Sequence, residues 1–311
     1  MATSPDIAVV IVNYHGLEDT KECLESVGVA VRGMNARIVL VDVSDEENGE
    51  RQGETLSNMF PSVHVIYAQN HGFSASYNVG LAEAIHQWNP QYLAILNNDT
   101  RVDKNLFKEL LGFAEEHPGI AAFTPKIYFE KGYEFHKNAY KDLERGRVLW
   151  YAGGHIDWNG VYGWHRGVDE VDHGQFSEDE RTSFGTGCCM LFSTETYKRV
   201  GSLRNEYFLY YEDTDYTERV KRSHGEIWFV PSATLWHKNA GSSGSGSDLH
   251  VYYQTRNRLL FGLRFAPFRT KISLLREAVG ILNAGTSTRK EAVFHALTHH
   301  FGRRTKKKEN V

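Results

Sequence analysis

Cysteine is scarce: Cys23, Cys188 and Cys189 are the only three in 311 residues. That is too few for a disulfide framework, and their spacing matches no zinc-binding pattern, so a reducing compartment is expected. No stretch approaches the ~20 consecutive apolar residues that a membrane-spanning helix requires. The opening residues show no basic n-region and no cleavage site before they enter an apolar run, so no secretory signal is expected. An excess of one charge is also missing, since a net charge of −4 does not point to nucleic acid as a partner. No internal repeat is visible. These absences together predict a cytoplasmic protein, at most peripheral to the inner face of a membrane.

The residues that are present describe an ordinary globular chain, 41% hydrophobic and 24% charged, long enough for one large domain or a domain with an appendage. Many of the aromatics fall between Tyr128 and Trp236, which reads either as a binding surface or as core. From Arg256 onward basic residues dominate, ending in Lys306, Lys307 and Lys308, against Glu277, Glu291 and Glu309. A basic segment interleaved with apolar residues suits an anionic membrane surface; the alternative is a solvated helix face and a disordered end.

Four apolar runs alternate with helical patterns. Ile7–Asn13 (IAVVIVN) and Ile38–Val43 (IVLVDV) read as strands buried on both faces, and Val63–Ala68 and Tyr92–Leu96 as two more. Helices are expected from Leu17 to Val27 and up to Trp88. This alternation predicts an α/β fold with a mostly parallel central sheet. A short strand is expected at Ile227–Pro231, a loop long enough to act as a lid at Asn239–Asp248, and a helix at Tyr252–Phe265. The expected division is a catalytic domain over 1–250, with a nucleotide-binding half to residue 100 and an acceptor half after it, then a helical, basic extension over 251–311.

Ligands of open α/β sheets bind beyond the carboxyl ends of the strands, and three polar clusters fall there. Asp42 closes the second strand, Asn70-His71-Gly72-Phe73 follows the third, and Asn97-Asn98-Asp99 follows the fourth. One such cluster reads as a turn; three in succession read as a site for a nucleotide sugar. Asp42 suits a base or ribose hydroxyls. Gly72 allows close backbone approach to a base and Phe73 covers it, while Asn13, Asn78 and Asn98 complete the nucleotide-binding set. Asp99 is a hard-oxygen donor for Mg²⁺ or Mn²⁺ on a diphosphate. A second cluster, Glu212, Asp213 and Asp215, crowds three carboxylates into four positions. Mutual repulsion and burial raise at least one pKa, as a general base needs; the alternative is an acid-decorated helix N-terminus. His237 is either a structural histidine or a metal ligand. Arg256 and Arg258 are either surface charges or, with Trp236, contacts to phosphate or acceptor.

In order and spacing, VVIVNYHG, VDVSDEENG, NHGFSASYNVG, LNNDTRVD, GTGCCMLF, FLYYEDTDYTERV, LWHKNAGSSG and YYQTRNRLLF resemble glycosyltransferase family 2, which has the GT-A fold, and within it the bacterial rhamnosyltransferases. The resemblance runs from about Ile7 to Phe261. It implies that Asp42 and the Asn70–Phe73 turn hold the nucleoside, that Asp213 is the base of an inverting transfer, and that Asp99 and His237 ligate a divalent metal. It implies a donor such as dTDP-rhamnose or a UDP-sugar, and a glycan or polyprenyl-diphosphate-linked acceptor in cell-surface polysaccharide synthesis. Two departures stand out. Asn97 replaces the first carboxylate of the family's Asp-x-Asp-type motif, so metal rests on fewer carboxylates, and the turn after Asp42 lacks the usual Asn. The rivals are a sugar nucleotidyltransferase, whose Gly-rich loop with Arg and Lys is missing after the first strand, and a non-catalytic nucleotide-sugar-binding subunit.

Overall fold

The computed structural model describes residues 4–45, 51–239 and 246–304. Residues 46–50 of the turn after Asp42, 240–245 of the expected lid, and Lys306 to Glu309 of the basic tail lie outside the described residues. The first half runs β1 (Ile7–Asn13), α1 (Leu17–Ala30), β2 (Ala36–Asp42), α2 (Gln52–Met59), β3 (His64–Tyr67), α3 (Phe73–Trp88) and β4 (Tyr92–Asn97), the expected alternation with the short α2 added to it. These four strands pair in parallel in the order β3-β2-β1-β4. Register sets Asn13 beside Asp42 and Val12 beside Asn97. The ends of β1, β2 and β4 are therefore level, and their polar clusters share one edge.

β1 is buried on both faces, which accounts for its uninterrupted apolar run. Ile7, Val9 and Ile11 face one core layer with Cys23, Leu24 and Val27 of α1, while Ala8 and Val10 face the other with Tyr77, Leu81 and Ala84 of α3. Gly80 lets α3 lie close on the sheet, because a Cβ there would stand 2.4 Å from Val10 and 2.8 Å from Val41.

The second half extends the sheet through β5 (Thr100–Val102), α4 (Leu106–Glu116), β6 (Ala122–Phe129), β7 (Leu149–Tyr151), the hairpin β8 (Gly154–Asp157) and β9 (Tyr162–His165), β10 (Glu180–Arg181), β11 (Cys189–Ser193), α5 (Thr194–Val200), α6 (Glu212–Arg222) and β12 (Ile227–His237). β11 lies antiparallel between β4 and β6. β12 is much longer than the expected Ile227–Pro231. Its register against β6 shifts between Val230 and Thr234, and Pro231, which has no N–H for a ladder, falls in that irregularity. The strand resumes beyond it and ends on His237. The chain closes with α7 (Asp248–Phe265), α8 (Phe268–Ala284) and α9 (Ser287–Leu297). Their apolar faces cluster with Val161, Tyr207 and Tyr211, so these helices pack behind the loop that leads into α6. Among the described residues no helix is long and apolar enough to cross a membrane. The aromatics between 128 and 236 divide: Tyr151, Phe184, Tyr207 and Phe229 are core, and Tyr133, Phe135, Tyr162 and Trp164 are exposed.

Candidate active site

At the level edge, Asn13 and Asp42 form one buried network. Asn13 Nδ2 donates to Asp42 Oδ1 (2.9 Å), Ser44 Oγ (3.1 Å) and Gln52 Oε1 (3.0 Å), and its Oδ1 accepts from Thr20 Oγ1 (2.8 Å) and Gly16 N (3.2 Å). Asp42 also accepts from the backbone of Ser44 (3.1 Å) and Gly53 (2.7 Å) and is 1% exposed. Both were expected to touch the nucleotide directly. In the structure their hydrogen bonds also organise the strand-end loops. Asn98 Nδ2 donates to Thr20 Oγ1 (2.8 Å), which ties the β4 turn into the same network.

The Asn70–Phe73 turn has a different neighbour from the expected base. Asn70 Oδ1 accepts from Gly72 N (3.0 Å), and Phe73 N donates to Phe208 O (2.7 Å). Gly72, at φ 98°, is required because a Cβ would lie 2.5 Å from Phe208 O. The turn is thus sewn to the segment preceding the carboxylate cluster. Asn78 does similar work: it exchanges two hydrogen bonds with the Leu203 backbone and donates to Asn205 Oδ1 (2.8 Å). It holds the 203–205 loop rather than facing a ligand.

The β4–β5 turn and the end of β12 bring the expected metal ligands together. Antiparallel pairing sets His237 opposite Thr100, and His237 Nε2 lies 3.0 Å from Asp99 Oδ1. Trp150 packs edge-on against the imidazole, centroids 4.6 Å apart, and fixes its plane. Two donors on adjacent corners of an octahedral ion at about 2.1 Å stand about 3.0 Å apart, so the pair fits Mg²⁺ or Mn²⁺. No group of three His, Cys, Asp or Glu gathers for a metal among the described residues. Such ions are often held by one or two carboxylates and completed by substrate phosphates and water, so this pair fits a metal that arrives with a diphosphate.

The carboxylate cluster resolves into three roles. Asp213 is half-buried at the start of α6. Its Oδ2 accepts from Gly187 N (2.9 Å) and its Oδ1 from Thr214 N (2.6 Å) and Thr214 Oγ1 (3.1 Å). Desolvation raises its pKa above the ordinary aspartate value and outweighs those hydrogen bonds, which lower it. Glu212 is buried, its Oε2 lacks a partner among the described residues, and desolvation followed by repulsion from Asp213 pushes its pKa well up. Asp215, expected to support the base, is instead an anchor. It is 0% exposed and accepts from Arg219 Nε (2.7 Å) and Tyr207 Oη (2.8 Å).

One backbone step joins the two halves of the site. Gly187 N donates to Asp213, and the carbonyl of the next residue, Cys188, accepts from Asn97 N (2.9 Å). Gly187 also abuts Phe73, whose ring carbon would stand 2.9 Å from a Cβ. Gly187 carries no expected role; its signal in the sequence is the pair of glycines that flank Thr186 in GTGCCMLF. Trp150 gave no signal in sequence.

The arginines turn inward. Arg256 is fully buried and donates to Asn257 Oδ1 and to the carbonyls of Gly302, Glu206 and Tyr207. Arg258 donates to Gly160 O (2.7 Å) and pairs bidentately with Glu277 (2.8 and 2.9 Å). Trp236 stacks with Tyr128, lies under the Arg101 guanidinium and donates to Gly146 O (2.9 Å). None of the three is placed as the expected phosphate or acceptor contact, because each polar group is engaged within the protein. Asn257, unassigned by the sequence reading, is fully buried and donates from Nδ2 to the carbonyls of Tyr207 (2.9 Å), Leu209 (2.7 Å) and Tyr210 (2.9 Å).

The fold is shared with solved glycosyltransferases. GalNAc-T7 with UDP, GalNAc and Mn²⁺ aligns at TM-score 0.63 and 16% identity over 97% of this chain, which spans 55% of that one. The mannosyltransferase PcManGT of Pyrobaculum calidifontis, with GDP-Man and Mn²⁺, aligns at 0.51 and 13% identity over 96% of this chain and 75% of its own. In sequence, the low-salt glycan biosynthesis hexosyltransferase Agl10 of Haloferax volcanii is 23% identical over 82% of this chain and 75% of its own. An N-acetylglucosaminyl-diphospho-decaprenol L-rhamnosyltransferase of Mycobacterium tuberculosis is 23% identical over 82% and 83%. With residues 5–262 matching the family described as "Glycosyltransferase like family 2", and a GT-A sheet carrying the match, this chain belongs to glycosyltransferase family 2.

Proposed function

We propose that the chain transfers a hexose, rhamnose in preference to others, from a nucleotide-diphosphate donor to a hydroxyl of a lipid-linked glycan, with inversion. The observation that carries this reading is the Gly187–Cys188 step, which links a carboxylate of raised pKa to the Asn97–Asp99 turn. A general base and a diphosphate site belong side by side in a one-step displacement. Asp213 takes the proton of the acceptor hydroxyl. That oxygen bonds to the anomeric carbon from the face opposite the nucleoside diphosphate, whose bond to that carbon breaks. Asp99 and His237 are the residues that would hold a divalent ion, which would supply Lewis-acid stabilisation of the departing diphosphate.

The rhamnosyl preference and the polyprenyl-diphosphate acceptor rest on the sequence motifs and on the mycobacterial relative's name. They favour dTDP-rhamnose over UDP-sugars, work at the cytoplasmic face of a membrane, and a place in cell-surface polysaccharide synthesis. The test is Asp213→Asn. Transfer is expected to fall by about 10²–10⁴-fold while the donor still raises the melting temperature by mass action. Near wild-type transfer would remove Asp213 as the base. Release of pyrophosphate in place of a nucleoside diphosphate would establish the nucleotidyltransferase reading, and no donor turnover under any divalent ion would establish a binding subunit.

A further inference from the structure

The core and the active site leave one surface of α8 unexplained. Phe268, Ile272, Leu275, Val279 and Leu282 recur at intervals of four and three residues, so they share one helix face. It is not the face that packs on α7 and α9, which is formed by Thr270, Leu274 and Ala278. Phe268 is 76% exposed, Val279 58%, Leu275 44% and Leu282 38%, while Ile272 is half-buried. The apolar surface continues onto α9, where Phe294 is 54% exposed and lines a shallow hollow with Leu282 and Lys290. Scattered exposed apolar residues need no explanation, whereas a contiguous stripe marks an interaction surface.

Charge selects the occupant. Arg269 and Arg276 flank the stripe, both exposed and neither in an ion pair among the described residues. The one acid of α8, Glu277, lies on the far side and is held by Arg258. Between residues 268 and 304 seven basic residues face two acidic ones, in a chain whose net charge is −4. A second copy docking on this face through an antiparallel two-fold contact would bring the arginines of both copies onto one edge. An anionic lipid surface satisfies both features, since apolar side chains enter the acyl boundary while arginines meet headgroups.

We infer that α8 is a membrane-docking helix that seats the protein on an anionic lipid surface through Phe268, Leu275, Val279 and Leu282, with Arg269 and Arg276 on the headgroups. This goes beyond the expectation from the basic segment as a whole, because it assigns docking to one helix face and apart from Lys306–Lys308. It stands independently of the transfer reaction: vesicle binding and sugar transfer can each fail with the other intact.

The test is co-sedimentation of the full chain with vesicles of phosphatidylcholine alone and of phosphatidylcholine with about one-quarter phosphatidylglycerol. Binding is expected to the anionic vesicles only, weakening with salt. The paired substitution Leu275→Glu and Val279→Glu is expected to weaken it at least about tenfold, with an unchanged melting temperature because both residues are exposed. Arg269→Gln with Arg276→Gln is expected to weaken it less and to flatten the salt dependence. Equal binding by the Leu275→Glu, Val279→Glu protein would assign docking to the basic tail and overturn the inference. Absence of binding to anionic vesicles would overturn it as well. So would a lipid-free dimer that the same pair of substitutions splits, because a second copy would then cover the face.

Discussion

Replacing Asn257 with alanine should cost activity far beyond what its distance in sequence from any carboxylate suggests. The segment it grips is strained: Phe208, Tyr210 and Tyr211 have φ of 63°, 69° and 71°. Each non-glycine residue held there costs about 1–2 kcal/mol. Three in four positions therefore store about 3–6 kcal/mol. Tyr211 is the residue before Glu212, so this segment sets where α6 starts and where Asp213 points. The Asn257 amide binds three carbonyls of the segment, at Tyr207, Leu209 and Tyr210, and the buried Arg256 shares the Tyr207 carbonyl and adds that of Glu206. In Asn257→Ala the Leu209 and Tyr210 carbonyls lose this donor, while Tyr207 O keeps Arg256 and the Leu209 N–H. A buried acceptor left unpaired costs about 1–3 kcal/mol, comparable to the stored strain, so the segment is expected to relax toward ordinary φ and carry Asp213 with it.

A catalytic group displaced by about 1 Å costs on the order of 10²-fold in rate. The expected result is a folded protein, destabilised by about 2–4 kcal/mol, whose kcat falls about 10²-fold while its donor affinity stays close to wild type. Donor titration by thermal shift and initial rates at saturating donor separate the two. A cycle with Asp213→Asn sharpens the test: if Asn257 acts by positioning Asp213, the double variant is little slower than Asp213→Asn alone. The reasoning fails if Asn257→Ala is folded and retains kcat within about threefold of wild type, or if the two rate losses multiply.

Other perturbations follow from the same geometry. Gly187→Ala places a methyl group 2.9 Å from the Phe73 ring, so it is expected to cost about 1–3 kcal/mol and to lower kcat more than donor affinity, read by denaturation and by rates. His237→Ala or Asp99→Asn removes one of two candidate ligands and is expected to raise the Mn²⁺ concentration for half-maximal transfer by about tenfold or more; an unchanged metal dependence would refute the pairing. Glu212 has a pKa raised by burial, so the folded state holds its proton where the unfolded chain has lost it. Its contribution to stability therefore falls as pH rises from the ordinary glutamate value toward the raised one, with a slope of at most about 1.4 kcal/mol per pH unit. Glu212→Gln is expected to stabilise the protein at neutral pH and to remove that slope, measured by denaturation from pH 4 to 8.

The parallel half of the fold was legible because its residues answer to local rules. IAVVIVN and IVLVDV are buried on both faces and say so without a partner in view, and Asn, Asp and Gly punctuate their ends. β12 was legible only to Pro231, because periodicity stops at an irregularity that a neighbouring strand repairs. The candidate site was legible as chemistry and less so as geometry. Asp99 and His237 lie 138 positions apart and meet through the pairing of β5 with β12, and the expectation that at least one pKa of the carboxylate cluster rises agrees with Asp213 and Glu212. What composition cannot state is which polar atoms are already spent. Asp42, Asn78, Asp215, Arg256 and Arg258 have the side chains that bind sugars and phosphates. In the folded chain they bind backbone carbonyls and amides or neighbouring side chains such as Asn13, Arg219 and Glu277, because buried polar groups must be satisfied from within. The polar residues of this family's motifs thus divide between chemistry and the scaffolding that aims it. Asn257 belongs to the second group by its contacts and to the first by its consequences, since the conformation that it holds is the one from which Asp213 projects.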